Sequence, residues 1–207
     1  MENLKTKLFG FAILLFFSTA VFSQDLDTMK AAFTRSYTYE KNKDYAKAIK
    51  EIVAVYDEKS YETNIRLGWL YYENGSYTSS AQYYAKAIVL MPYSIEARLG
   101  YVLPEKALGN SDLVIAGYEA ILKIDPQNSY VNYNLGLIYY NKKDYQTAFT
   151  YLEKDANMYP FDYDITSLYA WTNFQLGKLR EAKVLFTKVL LISPGDTSAT
   201  QGLSLIK

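Results

Sequence analysis

The stretch "LGLIYYNKKDYQTA" at residues 135–148 has a near twin in "LGWLYYENGSYTSSA" at residues 67–81, and the two lie 68 residues apart. The prolines explain this distance, because four of them follow one another at intervals of 34 residues, so that 68 is two periods. The four are Pro92, Pro126, Pro160 and Pro194. Only Pro104 lies outside this series. A fixed period of this length indicates a chain built from stacked structural repeats.

Each period contains two apolar stretches with helical spacing, separated by a turn signal. The turn signals are "NGS" at 74–76, "LGN" at 108–110, "NKKD" at 141–144 and "LGK" at 176–178. The periodic proline ends the second helix, because it cannot continue the backbone hydrogen-bond ladder. Helices of about a dozen residues are marginal alone in water. The pattern therefore predicts an all-α protein in which each helix pair is stabilised by its neighbours.

Small residues recur at two places in the period, where they predict close helix contacts. The first helices carry Gly68, Gly136 and Ala170, and the second helices carry Ala48, Ala148 and Ala182. A large side chain recurs one turn later on the second helix. These side chains are Tyr84, Tyr118, Leu152 and Phe186.

This pattern resembles the tetratricopeptide repeat family. The shared features are the period, the Leu-Gly-x-x-Tyr core of the first helix, the alanine and large residue of the second helix, and the closing proline. The resemblance covers residues 27–207. It implies a right-handed α-solenoid of about five helix-turn-helix units and a short C-terminal capping helix. The expected units are about 29–60, 61–94, 95–128, 129–162 and 163–196, with the cap at 197–207.

Two units depart from the pattern. The first has Ser36 in place of the glycine and Ser60 in place of the proline. In the third, Gly100 comes two places early and Pro104 falls inside the first helix. A proline there predicts a kink, which is either simply tolerated or a bend in a binding surface.

The first 23 residues read as a secretory signal peptide, with Lys5 and Lys7 before an apolar run and small residues near Ser23. We therefore expect a mature domain over residues 24–207, in the periplasm or outside the cell. The lesser alternative is an uncleaved membrane anchor. Past residue 24 no apolar run is long enough to span a bilayer.

Composition argues against several classes of function. Lys and Arg together number 22, as do Asp and Glu, and no basic block is present, which argues against a nucleic-acid partner. The chain has no Cys and no His. The usual metal ligands, thiol nucleophiles and the commonest general base are therefore missing. We expect no catalytic residues, no metal and no cofactor, and hence no enzyme.

The resemblance implies that first helices line the concave face of the solenoid, where extended peptides or partner helices bind. The exposed places of these helices are unusually aromatic here. We predict a partner-binding groove formed by Tyr37, Trp69, Tyr72, Tyr130, Tyr133, Tyr140, Trp171 and Phe174. Some family members grip a C-terminal carboxylate with Lys, Asn and Arg; only Asn134 fits that pattern, with Arg66 as a possible neighbour, so no such clamp is expected.

The leading interpretation is a non-enzymatic scaffold of the cell envelope that binds a protein or peptide along this groove. Tyr and Trp are favoured interface anchors, although aromatic rings at helical spacing are more often core than site. One alternative is a glycan-binding module that uses the same rings. Another is a structural subunit of an envelope assembly, with self-association possible.

Overall fold

The computed structural model describes residues 26–206, and all the regular secondary structure in that range is helical. The first helix, α1, covers residues 26–41 of the described range. The expected signal peptide at residues 1–23 lies outside the described residues. The remaining helices are α2 Tyr45–Val53, α3 Tyr61–Glu73, α4 Tyr77–Leu90, α5 Ile95–Ala107, α6 Ser111–Leu122, α7 Ser129–Asn141, α8 Tyr145–Met158, α9 Tyr163–Gln175, α10 Leu179–Ile192 and α11 Thr197–Leu205. The predicted all-α class is confirmed.

The chain divides into two compact units, with the boundary between Leu113 and Val114 in α6. In the first unit, α3 contacts both α4 and α5, and α4 also contacts α5. In the second unit, α9 contacts α7, α8, α10 and α11. Consecutive helices thus pack on each other, and α3, α7 and α9 also contact the helix after the next one. A stack of helix pairs buries its apolar faces in this way. No helix of the described residues is both long and apolar enough to cross a membrane.

A capping residue starts the first helix of each pair from α3 onward, and these caps keep the period of the prolines. Each cap side chain accepts a hydrogen bond from the backbone N–H three residues on, which satisfies a free donor of the first turn. The caps are Ser60, Ser94, Asn128, Asp162 and Asp196. Asp162 belongs to "FDYD" at 161–164, whose paired carboxylates therefore have a helix-start role.

The turn inside each pair requires one residue with positive φ. Three turns place glycine there, with φ of 75° at Gly75, 77° at Gly109 and 74° at Gly177. Two turns use lysine instead, with φ of 58° at Lys43 and 61° at Lys143. A residue with a Cβ pays a steric cost in this region, so these two lysines are the strained members of the series.

The glycines of the helices admit large side chains from neighbouring helices. A Cβ built on Gly136 would lie 2.6 Å from Cγ of Leu152, and one built on Gly202 would lie 2.4 Å from Cζ of Phe186. The predicted close contact between paired helices is thus confirmed for α7 and α8. The ring of Tyr84 is enclosed from two sides: a Cβ would lie 2.9 Å from it on Gly68 and 2.1 Å from it on Gly100.

Stacked tyrosines join the two helices of a pair in both compact units. Tyr71 of α3 stacks on Tyr83 of α4 with ring centroids 5.3 Å apart and planes 6° apart. Tyr139 of α7 stacks on Tyr151 of α8 at 5.8 Å and 13°. Offset stacking of this kind adds to the gain from burying the rings.

Pro104 lies buried within α5, which continues past it to Ala107. Proline has no N–H, so the carbonyl of Gly100 lacks its usual partner four residues on. The next turn is intact, since the backbone N–H of Leu108 donates to the Pro104 carbonyl at 2.9 Å.

One carboxyl group of the second unit is fully buried. Asp155 of α8 has no exposed surface, and among the described residues neither of its oxygens has a hydrogen-bond partner. Burial, with the charge of Asp162 as a smaller cause, raises the pKa of Asp155 to about 6. The hydroxyl of Ser129 and the backbone of Tyr133 lie near the carboxyl group but form no hydrogen bond of normal geometry with it, so they favour the charged form less than burial opposes it.

Candidate interaction surface

The aromatic residues predicted to bind a partner lie on four first helices, and each compact unit carries its own group. In the first unit, Tyr37 is on α1 and Trp69 and Tyr72 are on α3. In the second, Tyr130, Tyr133 and Tyr140 are on α7, and Trp171 and Phe174 are on α9. Helices α7 and α9 contact each other directly, so within the second unit the two sets are neighbours.

Tyr37 is an exposed ring held in place by a buried cation. Its exposed fraction is 54 %. The guanidinium carbon of Arg66, on α3, lies 3.9 Å from the centroid of the Tyr37 ring. Arg66 itself is only 6 % exposed. A cation this close to a ring face is attracted by its quadrupole, so one face of Tyr37 is fixed on Arg66 while the ring remains accessible.

The charge of Arg66 is neutralised within the first unit. Its Nη1 lies 2.7 Å from Oε2 of Glu40, and its Nη2 and Nε donate to the hydroxyl of Ser36 at 2.9 Å and 3.2 Å. The other carboxylate oxygen of Glu40 accepts the indole N–H of Trp69. The polar groups beneath these rings are therefore paired with one another.

Trp69 and Tyr72 continue the same row along α3. Their ring centroids lie 6.0 Å apart, and Tyr72 in turn lies 5.7 Å from Tyr77 at the start of α4. Trp69 and Tyr72 are half-buried. We call Tyr37, Arg66, Trp69 and Tyr72 the aromatic row of the first unit.

In the second unit, Tyr130 is the most exposed of the predicted residues, at 54 %. Its ring meets Tyr118 edge-on at 6.3 Å. Tyr140 is half-buried and packs edge-on against Tyr145 at 5.4 Å. Tyr133 is also half-buried, and burial, with the charges of Asp164 and Asp162, raises the pKa of its hydroxyl.

Trp171 and Phe174 are largely part of the core of the second unit. The Trp171 ring lies edge-on to buried Phe186 at 4.9 Å, and its indole N–H donates to the hydroxyl of Ser198 at 2.9 Å. Phe174 lies 5.6 Å from Trp171. Both rings pack against the buried cluster of Ala170, Ala182, Phe186, Val189 and Ala199. Helix α11 covers this side of α9, and the sequence pattern of α9 alone contains no signal of that cover.

Sequence reasoning missed the role of Ser36. It occupies the place of a repeat glycine and looked like a degenerate position, yet it is fully buried and accepts two hydrogen bonds from Arg66. The small hydroxyl fills the space of a glycine while satisfying a buried guanidinium. Within residues 26–206, no group of three or more His, Cys, Asp or Glu side chains could hold a metal ion.

Family models for the tetratricopeptide repeat match residues 38–95 and residues 118–150. A search of curated protein sequences finds no match to this chain. Solved structures with similar folds include a tetratricopeptide repeat protein from Parabacteroides merdae, with 17 % identity, a TM-score of 0.72 and coverage of 86 % of this chain and 72 % of that one.

Two further similar structures are of MamA. One MamA protein has 20 % identity and a TM-score of 0.69, covering 80 % of this chain and 92 % of that one. MamA from Desulfovibrio magneticus has 17 % identity and a TM-score of 0.68, covering 83 % of this chain and 98 % of that one. At these identities the similarity is one of fold.

Tetratricopeptide repeats mediate protein–protein interactions, and scaffolds built from them are generally not enzymes. The helix pairs, the caps in register with the prolines, the family-model matches and the structural similarity agree with one another. This chain belongs to the tetratricopeptide repeat family, and its fold is that family's all-α solenoid.

Proposed function

We propose that this protein is a non-enzymatic scaffold of the cell envelope that binds a segment of another protein through the aromatic rings of its first helices. The observation that carries the proposal is the pair of exposed tyrosines, Tyr37 and Tyr130, each 54 % exposed on a first helix. Both rings are backed by fixed partners, Arg66 and Tyr118. A fixed aromatic ring offers contact area at low entropic cost.

The chemistry of the predicted binding residues in both units favours an apolar or uncharged partner segment. Arg66 and Glu40 are paired with each other, and the indole N–H groups of Trp69 and Trp171 are already bonded. Affinity would therefore come from ring burial and from tyrosine hydroxyls. Export to the envelope rests on residues 1–23 of the sequence alone.

Site-specific photocrosslinking in intact cells tests the binding surface. A benzophenone amino acid would replace Tyr37 or Tyr130, and the matched controls would carry it at Tyr93 and Phe161. These two rings are also exposed, at 83 % and 63 %, but lie in the turns after α4 and α8. We expect one protein to be captured from positions 37 and 130 and not from the controls.

The variant Tyr37→Ala, Tyr130→Ala should release that protein while leaving the helical content unchanged. Truncating an exposed ring costs little folding stability, whereas Trp171→Ala would leave a cavity in the core beside Phe186. Capture that is equal at all four positions, or unaffected by the double variant, would contradict the proposal. Crosslinks to glycan and not to protein at positions 37 and 130 would also contradict it.

A further inference from the structure

The first compact unit has a second feature between α4 and α5, and its lining includes none of the residues of the aromatic row. It is an open pocket of about 510 Å³. Its walls carry small apolar and uncharged polar side chains, with one acid among them. The lining residues include Ala81, Gln82, Ala85, Tyr101, Glu105 and Asn110.

Glu105 is the unusual member of this lining, because it is charged and only 4 % exposed. Its neighbours are neutral. The amide Nδ2 of Asn110 donates to Glu105 Oε2 at 2.6 Å, and the Tyr101 hydroxyl, one helical turn earlier, interacts with the same carboxylate, which raises the pKa of Tyr101 together with burial. Within residues 26–206 no lysine or arginine forms an ion pair with it.

The position of Glu105 in its helix further disfavours its negative charge. It lies in the last turn of α5, where the helix dipole is negative and disfavours an anion. A buried charge without a partner of opposite sign is costly. A cation bound in the pocket would therefore stabilise the buried carboxylate of Glu105.

We propose that this pocket binds an organic cation of the size of a lysine or arginine side chain, with Glu105 as its counter-ion. Its volume lies within the range of small-molecule sites. The small side chains of Ala81 and Ala85 leave room for an aliphatic stem, and Gln82 and Thr78 of α4 add polar groups at the wall. The cation can come from a partner's side chain or from a free amine.

The test is a titration of the full chain followed by the side-chain amide signal of Asn110 in an NMR spectrum. The probes are Nα-acetyl-lysine methylamide and the arginine equivalent for a partner's side chain, and n-butylammonium for a free amine. Nα-acetyl-norleucine methylamide is the uncharged control. We expect saturable shifts with at least one cation and none with the norleucine probe.

Two variants separate charge from shape. Glu105→Gln keeps an acceptor for Asn110 but removes the charge, and should weaken binding roughly tenfold or more. Ala85→Met keeps Glu105 but fills the pocket, and should also abolish the shifts. Glu58→Gln, an exposed glutamate of the same unit, should leave binding unchanged. Equal binding by Glu105→Gln, equal shifts with norleucine, or no saturation by any cation would overturn the proposal.

Discussion

Gly100 of α5 lies so close to Tyr84 of α4 that a Cβ on the glycine would stand 2.1 Å from the ring carbon Cε1. Tyr84 is 4 % exposed and its ring also lies against Gly68 of α3, so the ring is confined from both sides. We predict that Gly100→Ala lowers the free energy of unfolding by about 1–3 kcal/mol through overpacking. Denaturant unfolding followed by circular dichroism measures this change.

The same substitution in a variant without the Tyr84 ring tests whether that ring causes the loss of stability. The places equivalent to 84 and 100 in the second unit hold Leu152 and Leu168, 68 residues further on. In a Tyr84→Leu protein, Gly100→Ala should therefore cost much less or become stabilising, because alanine favours a helix over glycine by about 1 kcal/mol. An equal loss in both backgrounds would mean that the ring is not the cause.

Lys143 adopts φ of 61° in a turn where other units use glycine. Lys143→Gly should raise the free energy of unfolding by about 1 kcal/mol, since glycine carries no steric penalty in this region. The neighbouring Lys142 has φ of −73° and provides the matched control. Lys142→Gly should lower stability by about 0.5–1 kcal/mol. Thermal unfolding of the two variants should thus shift in opposite directions.

Much of this architecture could be predicted from the sequence. The proline period places the second-helix ends, and the same period, read at Ser94, Asn128, Asp162 and Asp196, places the first-helix starts. Repeats permit this because each unit mainly contacts its neighbours, so a local pattern carries most of the information. The lysines at positive φ follow from their alignment with glycines.

Buried Asp155 makes stability depend on pH in an unusual direction. Its pKa is raised to about 6 from an ordinary value of 3.8, mainly by burial. The stabilising contribution of the protonated form is fully present below about pH 4 and is lost as pH rises through 6. At pH 8 Asp155→Asn should therefore be more stable than the parent chain by about 3 kcal/mol.

The pH profile of unfolding distinguishes this effect from a simple packing change. The difference between parent and Asp155→Asn should grow between pH 4 and pH 7 and then stay constant. Glu153→Gln on the same helix is exposed and should show no such growth. A difference independent of pH would show that the Asp155 carboxyl group titrates normally.

Tyr163 at the start of α9 donates to Oδ2 of Asp196 at 2.7 Å, while Oδ1 of Asp196 caps α11 through the N–H of Ala199 at 2.7 Å. These bonds lower the pKa of Asp196. Asp196→Ala should destabilise α11 by about 1 kcal/mol, and Tyr163→Phe should destabilise it in the same direction. Amide hydrogen exchange at residues 197–205 should accelerate in both variants, with helices α3 and α4 unchanged.

Asp196 makes folding stability depend on pH with the opposite sign to Asp155. Because the pKa of Asp196 is lowered in the folded chain, its contribution is present above the ordinary Asp range and is lost as pH falls through that lowered value. The protection of the α11 amides, taken relative to their intrinsic exchange rates at each pH, should therefore fall in strong acid. In Asp196→Ala that protection should already be low at neutral pH.

The candidate site was less predictable than the fold. Exposure of a first-helix ring depends on which helix lies beside it, and the sequence of α9 does not reveal that α11 covers Trp171. Likewise, the structural role of Ser36 depends on its hydrogen bonds with Arg66, thirty residues further along the chain. Such contacts occur between one pair of helices only, so they do not appear in the pattern that all the repeats share.

The fit of Tyr84 between Gly68 and Gly100 limits how the units can be interchanged. An array extended by copying α4 next to a helix of the α9 type would bring that ring against the position of Leu168, where no space is reserved for it. Duplication of a single module would thus create a misfit at the new junction. A copied segment that contains α3, α4 and α5 together would keep Tyr84 between the two glycines that accommodate its ring.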